Sequence, residues 1–68
     1  MNARIAAQMS KQITNNLLEN AKEMAQRLGI SINDAIDKKV SIYEKYATSG
    51  LEAAAWRIRG ENAKKIMI

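Results

Sequence analysis

Leu17, Ala21, Met24 and Leu28 recur at steps of four, three and four, and Gly29 follows the last of them. That spacing is one face of an α-helix. A glycine just past the last periodic residue is a helix stop, because the left-handed conformation needed there costs glycine little. The segment Ile30-Ser31-Ile32-Asn33-Asp34 then reads as a new helix start. Ser31 offers a capping oxygen, and an acid three residues on suits the positive end of a helix. Ile32, Ala35, Ile36, Val40, Tyr43 and Ala47 predict a second amphipathic helix over 32–47. Ser49 with Glu52 repeats the capping pattern and predicts a third helix over 50–65. It carries Leu51, Ala54, Ala55 and Ile58 on one stripe, with Trp56 and Ala63 on a neighbouring one. Gly60 is expected to interrupt that helix, since Gly in an exposed helix costs about 1 kcal/mol relative to Ala. The apolar end Ile66-Met67-Ile68 is expected to dock on something.

The first residues leave two readings open. Ile5, Met9, Ile13 and Leu17 step by four, which supports one long helix over 2–28. Thr14-Asn15-Asn16, however, is a cluster of poor helix formers and good caps, so it reads as a boundary. Before it, Met9 and Ile13 alternate with Gln8, Ser10 and Gln12, the pattern of a short strand over 8–13 followed by a helix over 15–28. Lys11 falls on the apolar face of that strand, and only Ile13 in it is β-branched. Either way the chain is mainly α.

A chain of 68 residues holds one domain at most. A domain of that size buries only about 60% of its unfolded surface, so a core built from one copy is marginal. Small chains are usually held by disulfides, a metal or a partner subunit. With no Cys there is no disulfide, and with no His or Cys a nitrogen- or sulfur-ligated zinc site is excluded. A dimer or larger homo-oligomer is therefore expected. The same absences remove the commonest general base and the best nucleophile, so neither catalysis nor a cofactor is expected. The longest apolar run, Ala53-Ala54-Ala55-Trp56, falls far short of a bilayer span. No apolar stretch of the signal-peptide kind stands near the start. A cytoplasmic protein with no membrane association is the expectation.

The net charge of +4 is unevenly placed. Arg4 and Lys11 face no acid in residues 1–13, and Arg57, Arg59, Lys64 and Lys65 face only Glu61 in residues 53–68. Residues 14–52 between them are nearly neutral, with five basic and six acidic side chains. Basic ends suit a polyanion, although an ordinary solvated surface has the same look.

The stretch Leu17 to Tyr43, LLENAKEMAQRLGISINDAIDKKVSIY, resembles the ribbon-helix-helix family of DNA-binding proteins, of the Arc and plasmid copy-control repressor type. An apolar helix ends in Gly29, Ile30-Ser31 follow, and Ile36, Val40 and Tyr43 stand seven, eleven and fourteen residues after the glycine. A helix-turn-helix wants apolar residues six and nine after it, where this chain has Ala35 and Lys38, and so fits less well. The resemblance implies that strands 8–13 of two chains pair into an antiparallel ribbon that enters the DNA major groove. It implies base contacts from Gln8, Ser10 and Gln12, with Met9 and Ile13 turned to the core. It implies a phosphate held by the backbone amides of Ser31, Ile32 and Asn33. Residues 1–48 would then be the dimerisation and DNA-binding core, and residues 49–68 a C-terminal helix for oligomerisation or partner binding.

Each of these residues also has a simpler reading. Gln8, Ser10 and Gln12 suit a helix surface, Ser31 a cap, Trp56 a packing anchor. Arg57, Arg59, Lys64 and Lys65 suit either a solvated face or phosphate contacts. Two functions follow. One is a small dimeric, sequence-specific repressor acting on double-stranded DNA in a phage, plasmid or bacterium. The other is a helical protein-interaction module, such as an antitoxin or a phage-encoded inhibitor of a host protein.

Overall fold

The computed structural model describes the backbone of residues 3–66 and the side chains of residues 11–66. Three helices follow one another: α1 (Ala3–Leu28), α2 (Ile32–Tyr46) and α3 (Gly50–Ile66). Each packs against the other two. The boundaries of α2 and α3 lie within a residue of those expected.

The strand expected over 8–13 is a correction: the backbone there is helical and belongs to α1, as in the long-helix alternative. Two physical reasons favour the helix. A strand leaves its amide and carbonyl groups waiting for a second strand, whereas a helix satisfies them within one chain. The segment also has little to recommend it as a strand, since Ile13 is its one β-branched residue and Lys11 spoils the alternation. The Thr14-Asn15-Asn16 cluster does not break the helix. Thr14 is buried on the packed side, and Asn15 and Asn16 lie exposed on the outer one.

The stop after α1 has a definite geometry. Gly29 has φ 67°, and the Ile30 amide donates to the Ala25 carbonyl at 3.1 Å. This is the Schellman closure, whose accompanying apolar contact comes from Ile30 packed on the core that includes Ala25. Two residues later the chain starts α2, with the Asp34 amide donating to Ser31 Oγ at 3.1 Å. The turn into α3 repeats the device. The Glu52 amide donates to Ser49 Oγ, while Glu52 Oε2 accepts from both the amide and the hydroxyl of Thr48.

The core is small. Leu17, Leu18, Ala21 and Ala25 of α1 meet Ala35 and Ile36 of α2 and Ala63 of α3, with Met24, Ile30, Ile32, Val40 and Tyr43 at its margin. Leu17 and Ile36 are its largest fully buried side chains. Alanines supply most of the rest, so the helices approach closely but bury few large groups.

Gly60 does not interrupt α3. It is buried where α3 crosses α2, and a Cβ built there would lie 2.7 Å from Val40 Cγ2. The cost of glycine in a helix is offset here by a helix–helix approach that an added Cβ would crowd. The C-terminal docking expected for Ile66 is also absent, as its side chain is 54% exposed. Met67 and Ile68 lie outside the described residues.

Candidate interaction surface

The α2–α3 hairpin is antiparallel and held along one seam. Near its tip Tyr43 and Trp56 stack with ring centroids 4.2 Å apart, and the Arg59 guanidinium lies 4.6 Å from the Trp56 ring centre. Arg57 Nε donates to Glu44 Oε1 at 2.7 Å. Further along, Gly60 meets Val40. Beyond it Lys64 Nζ donates to Asp37 Oδ1 at 2.6 Å, with Glu61 Oε1 at 3.9 Å. The bond to Asp37 holds the Lys64 ammonium above its ordinary range. Hydrogen bonds from the Thr48 hydroxyl and amide hold the Glu52 carboxyl below its own. Each ion pair has an exposed member, so each contributes little to stability.

Trp56, Gly60 and Ala63 therefore form the inner face of α3, at spacings of four and three. The other apolar stripe turns outward. Leu51 is 86% exposed and Ile58 62% exposed, with Ala54 and Ala55 half-buried between them. Positions i, i+3, i+4 and i+7 lie on one side of a helix, so these four residues make a continuous apolar stripe whose two large members are exposed. Tyr46, at the end of α2, is 79% exposed. The sequence showed both stripes of α3 but not which one the fold would use. Tyr46 gave no separate signal.

Among the described residues, those singled out for DNA do not meet in one site. Gln12 lies exposed on the side of α1. The side chains of Gln8 and Ser10 lie outside the described residues. Ser31 acts as the cap of α2, with Asn33 exposed beside it and Ile32 half-buried against the core. Asp34 stands in the same first turn and adds a carboxylate to that end of α2. Of the C-terminal cations, Arg57 and Lys64 are engaged by carboxylates of α2 and Arg59 by Trp56, while Lys65 is exposed. The shallow groove beside the seam is lined by Asp37, Val40, Ser41, Glu44, Arg57, Gly60 and Glu61, so its charges are largely those of the ion pairs.

No protein-family model, curated protein or solved structure matches this chain. Among the described residues no helix is long and apolar enough to cross a membrane, and no group of three carboxylates is placed to hold a metal ion.

Proposed function

We propose that this chain is a small helical protein-interaction module that acts through the outer face of α3. One observation carries the reading: α3 is apolar on two opposite faces, and the fold buries only the one with Trp56, Gly60 and Ala63. A helix with an apolar stripe on each of two faces can bury one against its own fold and offer the other to a second surface. Here one surface is supplied by α1 and α2, and the stripe of Leu51, Ala54, Ala55 and Ile58 awaits the other. Exposed large apolar groups that share one face mark protein contacts more often than nucleic-acid contacts, which are polar and positively charged.

A second reading, a dimeric sequence-specific DNA-binding regulator, is favoured by one observation of its own. The helix, Gly29 turn, Ser31 cap and second helix follow one another as the ribbon-helix-helix resemblance implies. That reading requires residues 8–13 to leave α1 and pair with a second copy.

Selection from a pool of randomised DNA duplexes separates the two. The module reading expects no enriched sequence, and any binding to be uniform across duplexes and to fall steeply with salt. Recovery of a defined operator would overturn it. Gln12→Ala then locates the reading of bases. A loss of about 1–3 kcal/mol on that operator alone would place Gln12 at the base edges.

A further inference from the structure

We propose that the partner seated on the outer face of α3 is the α3 of a second copy, running antiparallel to the first. The inference rests on the protein-interaction reading and names the occupant of its face.

The first argument is the pattern itself. Read from either end, Leu51-x-x-Ala54-Ala55-x-x-Ile58 is large, small, small, large. A two-fold contact requires this kind of self-complementarity, since each residue i meets j and each j meets i. With the two helices reversed about the midpoint of Ala54 and Ala55, Leu51 of each copy meets Ile58 of the other. The two alanine pairs sit at the crossing. Small side chains there allow the backbones to approach, and the larger groups close over both ends.

The second argument is charge. Glu52 and Arg59 lie on the same edge of the stripe, seven residues apart, and the Arg59 charge already helps lower the Glu52 carboxyl. Residues on one edge meet the same edge of the other copy in a reversed pair. Each Glu52 therefore comes within about two residues of the level of the second copy's Arg59, and the two-fold makes this ion pair twice. A parallel pair would instead align the two helix dipoles.

The stripe spans only about 10 Å of helix, seven residues at 1.5 Å each. Its area falls in the class of weak interfaces, so the association is expected to be concentration-dependent.

Sedimentation equilibrium on the wild-type chain and on Ile58→Glu tests the occupant. The wild type is expected to move from monomer toward twice that mass as its concentration rises. Ile58→Glu is expected to remain monomeric with unchanged far-ultraviolet circular dichroism. Leu51→Gln serves as the second variant should Ile58→Glu disturb the fold, and the same loss of dimer is expected. The direction is read by disulfide trapping, since the native chain has no Cys. Leu51→Cys mixed with Ile58→Cys is expected to give the mixed disulfide in at least about tenfold excess over either homodimer, because only the mixed pair is brought within disulfide reach. Homodimers of Leu51→Cys in excess would overturn the antiparallel pairing. A wild type still monomeric at about 1 mM, where even a weak specific dimer forms in part, would overturn the second copy as occupant. The protein-interaction reading survives that result and fails instead on recovery of an operator.

Discussion

The two faces of α3 have similar apolar content and opposite fates. The inner face holds one large group, Trp56, followed by Gly60 and Ala63. The outer face holds two large groups, Leu51 and Ile58, around two alanines. By side-chain hydrophobicity alone the outer stripe is the better core. The fold nevertheless buries the inner one. Gly60 lets α3 come down onto Val40, Ala63 fits the floor of the core, and Trp56 is placed to stack on Tyr43. Burial here follows how closely two backbones can approach, as interiors are filled by shape rather than by hydrophobicity alone.

Substitutions on the two sides put this contrast at risk, and the largest effect is expected beneath the inner face. Ile36→Ala removes one of the two largest fully buried side chains, which also borders Gly60. It is expected to cost about 2–5 kcal/mol. That is a large share of the roughly 3–10 kcal/mol available to a domain of this length. Thermal unfolding followed by circular dichroism should show a midpoint lowered by roughly 8–40 °C. A near-neutral result would mean that the inner face is not the one buried.

Gly60→Ala comes next and bears directly on the close approach. The added methyl meets the Val40 γ-methyl at 2.7 Å, and a β-branched side chain has little rotamer freedom with which to move aside. Overpacking of about 1–3 kcal/mol is expected to outweigh the helix gain of about 1 kcal/mol. In a Val40→Ala background the clash is gone, and the same change should turn neutral or stabilising. A double-mutant cycle on chemical denaturation reads that reversal. Purely additive effects would remove Gly60 as the reason the inner face is chosen.

The pH dependence is a smaller effect. Lys64 has its ammonium held above the ordinary lysine range by Asp37. Its contribution is therefore present below that range and lost as pH rises through the raised value. Glu52 has its carboxyl held low by Thr48, so its contribution is present above the ordinary carboxylate range and lost as pH falls through the lowered value. Thermal scans should show Tm falling at both extremes. Asp37→Asn should remove much of the alkaline fall and leave the acid one. An unchanged alkaline limb would separate the Lys64–Asp37 bond from the stability of the seam.

The smallest effect is expected on the outer face. Leu51→Gln, measured where the chain is monomeric, should change stability by no more than about 0.5 kcal/mol, as for an ordinary surface position. A loss comparable to that of Ile36→Ala would show Leu51 buried within the copy and erase the contrast between the two faces.

Helix-level detail was legible in the sequence because it rests on contacts a few residues apart. The stop at Gly29, the caps at Ser31 and Ser49, and the inward positions Leu17, Ala21, Ala35 and Ile36 all follow from local spacing and backbone chemistry. The first residues were harder to read. Between Gln8 and Ile13 the chain carries both a four-residue apolar step and a short alternation. The difference between strand and helix there depends on whether a second strand is present, which local spacing does not encode.

For α3 the division is sharper. The sequence by itself determined that residues 50–66 form a helix with apolar groups on more than one side, because periodicity and capping are properties of the segment alone. Only the tertiary structure decided that Trp56, Gly60 and Ala63 turn inward while Leu51 and Ile58 turn out. That choice depends on Val40 and Tyr43 of another helix, on the room a missing side chain leaves at Gly60, and on the distance at which α2 and α3 cross. A helix with two apolar faces has two nearly equivalent ways to pack. The one it takes is fixed by the surface it meets.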